Sequence, residues 1–248
     1  MSALRPALCL AVACLAGTAS LSETFEYTLD GVVYEGFVAR PDGAPRGTVL
    51  IIHDWDGLNA HEIARAEAMA AEGYVGIALD LFGRDAVLEQ MSDFQRETGA
   101  LYADRAGFRA RIAGGVEAAS ALEGVPGQMV LTGYCFGGAA TLEAARAGVD
   151  LAGFVSFHGG LGTPAGQDYS ATSAPVLVLH GSADPVPGSG MSDLAALMEE
   201  LQAAGVPHEA RIFGGARHSF TVEGSRDWDA QANAGAEAAL LEFLAARF

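Results

Sequence analysis

The segment that most restricts the fold is Gly133-Tyr134-Cys135-Phe136-Gly137, a reactive side chain held between two glycines. An apolar run, Met129–Leu131, precedes it, and a helix-compatible run, Ala139–Arg146, follows. Strand, sharp turn and helix is the context of the G-x-S-x-G nucleophile elbow, here with cysteine in the serine position. Such a turn strains its central residue, and a Cβ on either flank would clash with the neighbouring strand and helix. With 32 glycines in the chain the motif alone is weak, so its partners downstream decide the matter.

The remaining segments supply a sheet for that elbow. Phe25–Asp30 and Val32–Val38 alternate apolar and polar residues around Asp30-Gly31, the pattern of a hairpin. Thr48–Ile52 is a continuous apolar run of the kind buried in a parallel sheet. Further strands are predicted at Val75–Leu79, Gly153–Phe157, Val176–Leu179 and Glu209–Phe213. Helices are predicted over His61–Glu72, Ser192–Ala204 and Trp228–Ala246, with mostly helix across Ala86–Leu122. An opening hairpin followed by repeated strand–helix units predicts an α/β architecture. Its central sheet is mostly parallel, with an N-terminal antiparallel hairpin and helices on both faces.

A chain of 248 residues, 50% of them hydrophobic, can bury a sizeable core, and residues 20–248 are read as one domain. Residues 1–19 read as a signal peptide: one Arg within Met1–Pro6, an apolar stretch Ala7–Ala16, and small residues at Gly17-Thr18-Ala19. Cleavage is expected after Ala19, with a periplasmic or secreted product. The apolar stretch is well short of the roughly 20 residues that span a bilayer, so no stable membrane insertion is expected. A lipid-attachment signal at Cys14 is disfavoured, because Ala11-Val12-Ala13-Cys14 lacks the large aliphatic residue at its start. Removing the leader removes Cys9 and Cys14 and leaves Cys135 as a single free thiol. The formal charge of −17, with every basic residue an Arg, argues against nucleic acid and anionic lipid as partners.

In a parallel α/β sheet, ligands bind where the carboxyl ends of the strands meet. Three reactive side chains follow strands there: Cys135, Asp184 and His218. The chain order nucleophile, acid, histidine is that of the α/β-hydrolase fold. A neighbouring imidazole can take the thiol proton, and Asp184 can accept the other imidazole N–H and fix its tautomer. The backbone N–H of Phe136 is expected to be one oxyanion donor, and that of Trp55, in the loop after Thr48–Ile52, the second. A plainer role for Asp184 is to cap the turn ending at Pro185.

Six segments together resemble the dienelactone hydrolase family: His53–Asn59, Leu79–Arg84, Gly133–Gly138, Phe157–Gly159, Leu179–Asp184 and Gly214–Phe220. They span nearly the whole mature chain. The resemblance implies a catalytic triad of Cys135, His218 and Asp184 that hydrolyses a small ester or lactone through a thioacyl intermediate, with no cofactor. It also implies that Asp54, where well-known members have Glu, contacts the resting thiol; Asp56 is a rival, and either could instead cap the helix that begins near Ala60. Well-known members carry a substrate-binding Arg four residues after the catalytic histidine, where this chain has Val222. Arg84 and Arg96 lie near the position of their second one, and Arg84, with Phe82 and Phe220, is taken as a substrate-binding candidate.

Other polar residues are read more plainly. His53, His158 and His180 each follow a strand and are expected to hydrogen-bond loop backbone. No H-x-H or H-E-x-x-H spacing points to zinc, and without Lys there is no Walker lysine. The competing class is an exported ligand-binding or thiol redox-responsive protein on a hydrolase scaffold.

Overall fold

A computed structural model describes residues 22–248. The predicted leader, its cleavage site, Cys9 and Cys14 lie outside the described residues. The strands are β1 (Ser22–Leu29), β2 (Val32–Ala39), β3 (Thr48–Ile52), β4 (Val75–Leu79), β5 (Met129–Tyr134), β6 (Gly153–Phe157), β7 (Val176–Gly181) and β8 (His208–Phe213). They form a single sheet in the order β1-β2-β4-β3-β5-β6-β7-β8. Only the β1–β2 and β2–β4 pairs are antiparallel; from β4 to β8 all neighbours run parallel.

Local chemistry explains this layout. Asp30 and Gly31 have φ of 49° and 81°, the left-handed pair that a tight hairpin turn needs, and they set Leu29 opposite Val32. Strands β3 to β7 are buried along their whole length, as their unbroken apolar runs require.

The helices are α1 (Ala60–Ala71), α2 (Met91–Ala103), α3 (Arg105–Ser120), α4 (Phe136–Arg146), α5 (Met191–Ala203) and α6 (Ala230–Ala245). Alternate residues of each strand point to opposite faces. Leu50 and Ile52 therefore join a core with residues of α3, α4 and α5, while Val49 and Ile51 join one with α1 and α6.

Two helix boundaries are clearer here than in the sequence. The Ala86–Leu122 stretch is two helices broken at Asp104, whose carboxylate accepts the Gly107 N–H and starts α3. The cap of α1 is neither Asp54 nor Asp56. It is Asn59, which accepts the His61 N–H, while Glu62 reaches back to the Asn59 N–H.

The helix pair α3 and α4 is tied by a buried carboxylate. Glu143 of α4 accepts hydrogen bonds from Arg105 and Arg109 of α3, from Arg146 one turn along α4, and from Gln167.

Both ends of the described chain lie at the amino end of the parallel strands. Ser22 pairs with Ala39, which pairs with Gly76 near the start of β4. The Phe248 ring packs 5.5 Å from that of Tyr74, just before the same strand.

Candidate active site

The elbow is built as its glycines require. A Cβ on Gly133 would fall 2.1 Å from the Gly137 carbonyl oxygen, and one on Gly137 would fall 2.2 Å from that of Ile52 at the end of β3. Between them Cys135 adopts φ 52° and ψ −110°, a left-handed backbone that costs a non-glycine residue roughly 1–3 kcal/mol. Its N–H donates to the Phe157 carbonyl at 3.0 Å. The side chain is thereby presented at the start of α4, where the helix dipole favours a thiolate.

Cys135, His218 and Asp184 converge. His218 Nε2 lies 3.0 Å from Cys135 Sγ, and His218 Nδ1 lies 2.7 Å from Asp184 Oδ2. The other oxygen of Asp184 accepts the Val186 N–H at 2.9 Å, so this residue caps the turn after β7 as well as holding the imidazole. Burial works against the charged form of His218. Its hydrogen bonds to Asp184 and Cys135 and the negative charge of both outweigh that and push the imidazole up to about 10. His218 is therefore held toward its protonated, imidazolium form at neutral pH, with Nε2 facing Sγ.

Cys135 and His218 open into a cavity of about 490 Å³, whose walls include Trp55, Tyr102, Phe136, Pro185 and Val186. Thr98 and Tyr102 come from α2. Burial, and next the negative charge at Cys135, push the Tyr102 phenol up to about 12, so it stays a neutral hydrogen-bond donor. At the rim Arg226 makes two hydrogen bonds to Asp227, and Arg217 makes a third.

The predicted site residues divide into two groups. Trp55 lines the cavity, and Phe136, as the first residue of α4, has an N–H that no intrahelical carbonyl can take. Among the described residues Asp54 makes no hydrogen bond to Cys135 Sγ. Its carboxylate accepts the Asp56 N–H at 3.2 Å and its own N–H faces Glu62, so it belongs to the α1 entry loop. Arg84 pairs with Glu26 of β1 and with Asp85 and does not line the cavity. Arg96 pairs with Asp93 and Glu97.

The aromatic candidates sit one layer too deep. Phe82 packs behind Phe136 and against His53, and Phe220 is fully buried against Phe213 and His158. Val222 faces a different hollow, beside His61, Arg65 and Trp228. The wall residues Thr98 and Tyr102 and the rim pair Arg226–Asp227 were not singled out from the sequence. Helical periodicity places Tyr102 on a face of α2 but does not say that this face looks onto Cys135.

A parallel sheet whose strand ends bring together an elbow cysteine, an acid and a histidine in that chain order defines the α/β-hydrolase class. The sequence pattern of the dienelactone hydrolase family matches residues 34–248, and the chain belongs to that family. It stands among hydrolases acting on carboxylic ester or lactone bonds. One similar structure is a dienelactone hydrolase-like promiscuous phosphotriesterase from metagenomic libraries. It is 31% identical with a TM-score of 0.85, and the match covers 93% of this chain and 100% of that one. A protein from Methylorubrum extorquens named "Putative carboxymethylenebutenolidase" is 26% identical over 207 residues, 78% of this chain and 70% of its own. A protein of the same name from Salmonella typhimurium is 26% identical over 230 residues, covering 82% and 84%.

Proposed function

We propose that this protein hydrolyses small esters or lactones with Cys135 as nucleophile, His218 as proton carrier and Asp184 as its orienting acid. The observation that carries this reading is the continuous line Sγ–Nε2 at 3.0 Å and Nδ1–Oδ2 at 2.7 Å, opening into a cavity sized for a small molecule. The thiolate attacks the substrate carbonyl carbon, and the carbonyl oxygen takes up the negative charge. The N–H groups of Phe136 and Trp55 are its assigned donors, a contribution of about 3–4 kcal/mol each where such donors have been removed in other hydrolases.

As the tetrahedral adduct collapses, the C–O bond to the leaving alcohol breaks and the His218 imidazolium gives its proton to the departing oxygen. A thioester on Cys135 remains. The now neutral His218 then takes a proton from water, hydroxide adds to the thioester carbonyl, and the C–S bond breaks to restore the thiolate–imidazolium pair. A lactone follows the same course, its leaving oxygen staying tethered to the acid product.

The test is steady-state hydrolysis of a panel of aryl esters and lactones by wild type and Cys135→Ala. The panel includes one aryl phosphotriester, because a similar structure is named for that activity. Cys135→Ala is expected to lower kcat by about 10⁴-fold or more. Ester turnover that survives the substitution would sink the proposal.

A further inference from the structure

Strands β5, β6, β7 and β8 are consecutive in the sheet, and each delivers one polar side chain to the same edge: Cys135, His158, Asp184 and His218. Three of these belong to the proposed triad. His158 does not, yet it is fully buried beside the triad and has a φ of 38°, an uncommon backbone for a residue with a side chain. Its ring centroid lies 5.2 Å from that of His218. Both of its nitrogens are engaged. Nδ1 accepts the backbone N–H of Cys135 at 3.2 Å, a proton shared with the Phe157 carbonyl, and Nε2 lies 2.8 Å from Thr221 Oγ1.

The donor count fixes the tautomer. Nδ1 faces an N–H and must be bare, so the single ring proton is on Nε2 and is donated to Thr221. Thr221 stands three residues after His218 in the same loop, and its carbonyl is held by Arg65 of α1. We propose that His158 is a positioning residue: one neutral ring ties the backbone of the nucleophile to the loop that carries the catalytic histidine, and so sets the Sγ–Nε2 approach. The proposal rests on the hydrolase reading above, since only there does that approach matter.

Charge is consistent with this role. Burial, followed by the positive charge of His218, holds His158 well below the ordinary histidine range. The remaining rings around it, Tyr134 and Phe220, offer it no anion. A protonated His158 would lose its acceptor for the Cys135 N–H and set a second cation beside the imidazolium. Two neighbouring histidines are thus held in opposite protonation states, each suited to its task.

Four variants separate positioning from packing. Thr221→Val keeps the ring in place and removes only its Oγ1 partner. His158→Ala removes both bonds, His158→Asn returns an acceptor at the Nδ1 position, and His158→Gln returns a donor at the Nε2 position. The readouts are kcat and KM on an aryl ester, and the titration of the Cys135 thiolate by its ultraviolet absorbance, with thermal melts to show folding. A loss of alignment should lower kcat by about 10- to 100-fold with less change in KM. The thiolate titration should move up in pH, with His158→Asn and His158→Gln each recovering part of the His158→Ala loss. Folded Thr221→Val and His158→Ala proteins with wild-type kcat and thiolate titration would overturn the proposal. So would Asn and Gln variants no better than Ala. The thiolate absorbance reads the pair without turnover, so an inactive wild type would refute the hydrolase reading alone.

Discussion

Asp54 is a buried carboxyl whose side-chain partner lies in its own loop. Its position after β3 suits a group that touches the thiol, but its carboxylate accepts the Asp56 N–H, and its own backbone N–H donates to Glu62. Burial, and next the partnership with Asp56, push it up to about 9, far above an ordinary aspartate. The folded protein therefore keeps a proton here that the unfolded chain releases near pH 4. Stability on this account is greatest at low pH and is lost as pH rises toward 9. Asp54→Asn should raise Tm by about 2–4 °C at pH 8 and give no gain at pH 4, as paired thermal melts would record. Equal Tm at pH 8 would mean that the carboxyl is not held protonated there. The convergence of Cys135, Asp184 and His218 was legible because all three sit at strand ends in an order that few sheets can use differently. The cavity lining was not, because proximity in sequence does not say which way Arg84 or Phe82 turns.

At the scale of elements, the strands were readable from their apolar runs, and β3, β4 and β6 lie where those runs do. The helical stretch between β4 and β5 was harder, because good helix formers continue through Asp104 and only the capping carboxylate marks the break. That break sends α2 toward the cavity with Tyr102 while α3 stays on the sheet. The clamp that holds this arrangement is Glu143, buried beneath the guanidinium groups of Arg105, Arg109 and Arg146. Removing the carboxylate leaves those cations without a buried counter-charge. Glu143→Ala should cost about 3–5 kcal/mol in denaturant unfolding, a loss far larger than an exposed ion pair would give. A change below about 1 kcal/mol would show that α3 and α4 are held by apolar packing alone.

At the scale of the whole molecule, the hairpin, the parallel strands and the two helical layers agree with the pattern of the sequence from β1 to α6. We propose that residues 1–19 export the chain and are removed, so that the mature protein carries Cys135 as its one thiol. Expression with the native N-terminus should yield a periplasmic or secreted product beginning near Ser20, determined by N-terminal sequencing. Recovery of the uncleaved chain from the cytosol alone would count against export. The register of β1 and β2 and the seating of Phe248 beside Tyr74 bring both described ends out beneath the sheet, opposite the strand ends that carry Cys135 and His218. A tether to a solid support or a fused partner fastened at Ser22 would start from that far side. The cavity that holds Cys135 and His218 opens away from such an attachment point.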